Sequence, residues 1–178
     1  MLIKAILVAN NHLNSVGGSE TFTYTMIEAL ISKGYDVEYF TFFKGITSDK
    51  IENELGVKFM SKPRYDLILA NHHPCVKFLS TKGIIIQTCH GIFPKLEQPS
   101  KFADGYVSIS DEIKQHISKL GFKSKLILNG VNCERFNSTT SLTKKLSSVL
   151  SLSHSELANR KIEEACRELG VKFNKLNK

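Results

Sequence analysis

The sequence predicts an α/β protein built on a doubly wound parallel sheet, and three observations carry that prediction. Short apolar runs alternate with helical segments along most of the chain. Runs such as Leu67-Ile68-Leu69 and Ile84-Ile85-Ile86 lack polar alternation, as strands buried on both faces must. Glycines follow the helical segments at Gly34, Gly56 and Gly121, where a left-handed residue ends a helix. Together these imply a Rossmann-like parallel sheet with helices on both faces. Ligands bind such sheets outside the carboxyl ends of the strands.

Each element follows in turn. Leu2–Ala9 reads as a strand despite Lys4, and a polar loop leads from it into Gly17-Gly18-Ser19-Glu20. The next helix is expected over Ser19–Lys33, with Ser19 as N-cap and Glu20 complementing the helix dipole. Strands are expected at Asp36–Phe43, Asp66–Ala70, Ile84–Thr88, Tyr106–Ile109 and Lys125–Leu128. Helices are expected at Ser48–Leu55, at Pro74–Thr81 behind its proline, and at Ser110–Leu120, capped by Ser110. Residues 137–147 turn to Ser, Thr and Lys without apolar periodicity and read as a linker. Beyond it, Ser148–Ser153 (strand), Ser155–Leu169 (helix) and Val171–Leu176 (strand) make one βαβ unit. Such a unit cannot bury both faces alone, so it reads as the start of a truncated second domain after a first domain over 1–136. Its helix carries Leu157, Ile162, Ala165, Cys166 and Leu169 on one broad apolar face, which points to a homodimer through 148–178 or packing on the first sheet.

Composition narrows the class. The 178 residues are 42% hydrophobic, and no apolar run is long enough for a transmembrane helix or a signal peptide. Cys75, Cys89, Cys133 and Cys166 lack C-x-x-C spacing, which favours free thiols in a reducing cytoplasm. The formal net charge of +7 suggests an anionic partner, although such an excess is also commonly just a solvated basic surface. The basic residues are mostly lysine and no helix-turn-helix, zinc-finger or aromatic RNA-binding pattern is present, so nucleic acid is not expected. A phosphorylated small molecule or the inner face of an anionic membrane fits better. The Phe42-Phe43-Lys44 tip can touch lipid headgroups or stack on a sugar, although core packing also accounts for phenylalanine there.

The chemistry-bearing residues gather in loops at strand carboxyl ends. They are Asn10, Asn11 and His12 with the Gly17-Gly18 turn, then Asn71, His72 and His73, then Cys89, His90 and Gly91, then Asn129 to Asn132. Glycine before a helix start lets backbone N–H groups approach a phosphate or sugar oxygen. One histidine in a loop is commonplace; histidines in three strand-end loops favour a site, and His90 beside Gly91 is the best placed. Zinc on His72, His73, Cys89 and His90 is disfavoured, because adjacent strand residues such as Cys89 and His90 point apart. No G-x-S-x-G elbow and no G-x-G-x-x-G fingerprint is present.

Taken in order, these residues resemble the N-terminal domain of a family 4 retaining glycosyltransferase of the GT-B fold, from Leu2 to Phe136. Gly17-Gly18-Ser19-Glu20 resembles the family's Gly-Gly-x-Glu loop, and Tyr35-Asp36-Val37 is similar to its turn into strand two. Tyr65-Asp66-Leu67-Ile68, His90-Gly91 and Ser108-Ile109-Ser110 resemble further strand ends. Leu128-Asn129-Gly130-Val131-Asn132 before Phe136 is similar to P-N-G-V-D…F, with Leu128 for the proline and Asn132 for the aspartate. The resemblance implies that His90 contacts the transferred sugar and that Gly17, Gly18 and Asn129 bind the donor. It implies that Asn10, His12, Asn71, His72 and Ser110 line the acceptor side. The donor would be a nucleotide sugar and the acceptor a carbohydrate or lipid-linked saccharide, with no cofactor and no metal. The family's second domain, with its E-x7-E motif, has no assigned place here, so the chain alone is expected to be inactive. Two other readings compete: a non-catalytic Rossmann-like module for a phosphorylated or sugar ligand, and a complete small doubly wound protein.

Overall fold

The computed structural model describes residues 3–130, 145–153 and 155–175. Val131 to Phe136, Cys133 among them, most of the expected linker, Leu2 and Leu176 lie outside the described residues. The chain divides into two compact units, Met1–Gly130 and Val131–Lys178. The first holds β1 (Ala5–Ala9), α1 (Gly18–Ser32), β2 (Asp36–Phe40), α2 (Ile46–Leu55), β3 (Leu67–Ala70), α3 (His73–Leu79), β4 (Ile84–Cys89), β5 (Gly105–Ser108), α4 (Asp111–Lys119) and β6 (Lys125–Leu126). The six strands form one parallel sheet in the order β2-β1-β3-β4-β5-β6. A short 3-10 turn at Lys95–Glu97, which the sequence did not signal, bridges β4 and β5.

Helices cover both faces, as expected. On one face, Ile6 and Val8 pack with Ile27 of α1 and Ile51 of α2. On the other, Leu7, Ile68 and Ile85 pack with Cys75, Val76 and Leu79 of α3, while α4 brings Ile113 and Ile117 onto Cys89. Fully burying each such aliphatic side chain stabilises the fold by about 2 kcal/mol. Two aspartates tie strand starts to their neighbours. Asp66 Oδ2 accepts the N–H groups of Lys4 and Ala5, both at 2.9 Å, and Asp104 Oδ2 accepts that of Ile85 at 2.8 Å. The N–H groups of Ala5 and Lys4 hold the Asp66 carboxyl below its usual range.

Several boundaries differ from the expected ones. β2 ends at Phe40 rather than Phe43, because its register partner in β1 ends at Ala9. Phe42 and Phe43 are exposed instead of core. Ser19 does not cap α1: Gly17 occupies the N-cap, and the Ser19 hydroxyl donates to Glu20 Oε2 at 3.0 Å. Ser110 does cap α4, accepting from the Ile113 N–H at 3.2 Å. The glycines after α1, α2 and α4 have φ of +82°, +65° and +85°, the left-handed geometry the sequence implied.

The second unit has β7 (Ser148–Ser151), α5 (Glu156–Glu168) and β8 (Lys172–Lys175), with β7 and β8 paired in parallel. The broad apolar face expected on α5 packs only in part, through buried Cys166 and half-buried Ile162. Asn159 and Cys166 are buried, and Asn159 Oδ1 accepts the Ser151 hydroxyl at 2.6 Å, whereas Leu157, Ala165 and Leu169 are exposed. A two-stranded sheet shields only a narrow strip of helix. No helix among the described residues is long and apolar enough to cross a membrane.

Candidate functional site

Strand order reverses between β1 and β3, and there the loops after both strands open a crevice at the sheet's carboxyl edge. Asn10, Asn11 and His12 follow β1, and Asn71 and His72 follow β3. His90 follows β4, next to β3. The first turns of α1 close the crevice with Glu20, Phe22 and Thr23.

Thr23 organises one half. Its hydroxyl donates to the Ser19 carbonyl at 2.8 Å and accepts the amide N–H groups of Asn10 at 2.9 Å and Asn71 at 2.7 Å. Because the Asn71 nitrogen is used on Thr23, its Oδ1 is the atom that meets His90 Nε2, at 3.2 Å. An amide oxygen only accepts, so His90 carries its proton on Nε2 and presents Nδ1 as an acceptor. Phe22 stands edge-on to the His90 ring, 4.7 Å away. Burial pulls the His90 pKa down to about 4, which keeps the ring neutral at physiological pH.

His72 organises the other half. It is 2% exposed, and its Nδ1 accepts the Asn11 N–H at 3.2 Å. Burial, with the neighbouring His12 and His90, lowers its pKa to about 4. His12 stacks on it at 5.3 Å with the planes 6° apart. The Asn11 amide lies 3.1 Å from His12 Nδ1, and Glu20 Oε1 lies 3.7 Å from His12 Nε2. Glu20 is 5% exposed and takes hydroxyl donors from Ser15 at 3.2 Å and Ser19 at 3.0 Å.

This explains Gly17. A Cβ there would sit 2.6 Å from Glu20 Oε2, while one on Gly18 would meet nothing within 4 Å. Gly17 makes room for a buried carboxylate, and only Gly18 leaves open space at the helix start. A carboxylate at that N-terminus also offsets its positive potential, which works against an anion there.

The structure thus gathers Asn10, His12, Asn71, His72 and His90 around the crevice. Ser110 follows β5, and its hydroxyl accepts the Ile113 N–H as the α4 cap. Asn129 lines, with Asn71 and Thr88, a pocket of about 370 Å³ whose other walls are mostly aliphatic or aromatic, from Phe22 and Met26 of α1 to Ile86 and Val107 of the sheet. His73 turns away to the Lys95 carbonyl at 3.0 Å. Burial pushes the Cys89 thiol up to about 12. Among the described residues no group of three or more His, Cys, Asp or Glu side chains is arranged to hold a metal ion.

Sequence reasoning missed Phe22, Thr23 and the full part played by Glu20. A signal was present: Glu20 and Thr23 precede Ile27 in the buried stripe of α1, a polar interruption at core positions. The converging groups are amides, hydroxyls, imidazoles and one carboxylate. Such a set hydrogen-bonds hydroxyl-rich ligands better than it binds phosphate. No model of a known protein family matches this chain, and no curated protein matches it either.

Proposed function

We propose that the first unit is the acceptor-side domain of a retaining glycosyltransferase, which takes a sugar from a nucleotide-sugar donor to a carbohydrate or lipid-linked acceptor. The observation that carries this reading is the His90–Asn71–Thr23–Asn10 chain at the switch point. It holds a neutral His90 with Nδ1 available to accept a sugar hydroxyl. His12, one third exposed and steadied by Asn11, His72 and Glu20, offers a second polar contact beside it.

Transfer with retention needs positive charge and backbone amides around a diphosphate leaving group, with the sugar held against the acceptor. The crevice offers hydroxyl-binding groups and no cluster of cations, so it suits the acceptor and the sugar. The diphosphate would be held by a facing donor domain. Transfer by this polypeptide alone at rates typical of enzymes would contradict this division of labour.

Calorimetric titration of the chain with oligosaccharides and nucleotide sugars tests the reading. Weak binding is expected, on the order of 1 mM. His90→Gln keeps an N–H for Asn71 but removes the Nδ1 acceptor. It should weaken binding about tenfold, the loss of one to two hydrogen bonds, with little change in melting temperature. Absence of binding to any saccharide or nucleotide sugar, or full binding by His90→Gln, would overturn the assignment.

A further inference from the structure

The flank formed by the end of β2 and by α3 exposes a row of aromatic rings. Phe40 is buried, and Phe78 of α3 stacks on it with centroids 5.1 Å apart. Phe42 completes the set, 4.9 Å from Phe40 and 5.4 Å from Phe78. Even so, Phe42 and Phe78 remain 41% and 53% exposed, and the adjoining Phe43 57%. His73 and Lys77 are one turn apart on the same side of α3. The bond from His73 to the Lys95 carbonyl sets the 3-10 turn beside α3, and Lys77 and Lys95 are both exposed. Phe93, 88% exposed, lies two residues before Lys95. Beside Phe43, Lys44 is exposed but pairs with the Glu52 carboxylate at 2.7 Å, so its charge is matched there rather than offered to an anionic surface.

We infer that this flank docks on an anionic lipid bilayer, with Phe42, Phe43, Phe78 and Phe93 at headgroup depth and Lys77 and Lys95 against lipid phosphates. Aromatic rings favour the membrane interface, and lysines extend their charge from apolar stems to the phosphate layer. Charge complementarity selects the occupant, since the rings are flanked by cations on a chain of net charge +7. The core of a protein–protein contact is instead depleted in lysine. The inference does not depend on the proposed sugar transfer.

Sedimentation of the full chain with vesicles of phosphatidylcholine, alone or mixed with phosphatidylglycerol, tests it. The chain should pellet with mixed vesicles, poorly with neutral ones, and less as salt rises from about 0.1 M to about 1 M. Lys77→Glu with Lys95→Glu should lower the partition coefficient about tenfold or more. Phe43→Ser with Phe93→Ser should lower it about tenfold. These last two rings lie outside the Phe40–Phe42–Phe78 stack, so that variant should melt like the parent. Equal partition to both vesicles, no binding to either, or parental binding by both variants would overturn the inference. So would dimerisation in light scattering that the same phenylalanine substitutions abolish without any vesicle binding.

Discussion

Mild acid should unfold this protein through two histidines before its carboxylates matter. His72 and His90 are held neutral in the fold, with pKa values of about 4 against a usual value of 6.5. The unfolded chain takes up protons first as the pH falls below 6.5, so their contribution is complete above 6.5 and is lost between 6.5 and 4. At pH 5 each ring removes about 2 kcal/mol of stability, a large part of a typical total of about 5–15 kcal/mol. Burial raises the Glu97 pKa, and that acts in the opposite sense. Glu38 acts lower. Burial pushes its pKa up, but hydrogen bonds from Tyr65, Lys62 and Ser61 outweigh this and hold it at about 2, so its contribution is lost only below 4.5. Urea unfolding followed by circular dichroism at pH 7.5, 6 and 5 reads the effect. His72→Asn isolates it: the amide oxygen can still accept the Asn11 N–H and suits an N-cap, but it does not titrate. The variant should lose about half of the slope between pH 6.5 and 5. A stability flat from pH 7.5 to 5, or a slope unchanged in His72→Asn, would show that these rings do not set the acid response.

Thermal melts should separate the two glycines. Gly17→Ala forces Glu20 from its serine hydroxyls and should destabilise by about 1–2 kcal/mol, whereas Gly18→Ala, in open space at the helix start, should be neutral or stabilise by up to about 1 kcal/mol. Thr23→Val removes the hydroxyl shared by Asn10 and Asn71, and leaving buried amides unpaired should cost about 2–3 kcal/mol by chemical denaturation. In the second unit Leu150, Leu152, Leu157 and Leu169 are each more than half exposed. Self-association through them should give a mass in light scattering that rises with concentration and becomes constant in Leu157→Ser with Leu169→Ser. A constant monomer mass in the parent chain would count against it.

The sheet was legible because strands buried on both faces cannot hide: Leu67 to Leu69 and Ile84 to Ile86 have no polar member, and left-handed glycines closed three of the helices between strands. Strand ends were less legible, since Phe40 and Phe43 look alike in sequence and differ only in whether β1 is still alongside. The histidine and asparagine loops were legible because the winding of the sheet forces strand ends to converge. Their hydrogen-bond order was not. That Thr23 links Asn10 to Asn71, and that Glu20 draws Ser19 away from capping α1, depends on how α1 lies against β1 and β3. The width of the buried strip on α5 was overestimated for a related reason, because helical period shows which residues align and not how wide a surface will cover them.

The proposed site would bind sugar at the switch-point crevice through a neutral His90 working with Asn71 and His12. Nitrogen-15 NMR of the histidine rings and asparagine amides in the full chain, titrated with oligosaccharide and with nucleotide sugar, tests it most directly. Free His90 should carry its proton on Nε2. His90, His12 and the Asn71 amide should shift together on a single saturating curve, while His116, bonded to Gln98 at 2.8 Å, stays still. A His90 protonated on Nδ1, or a saturating ligand that moves none of the three, would contradict it.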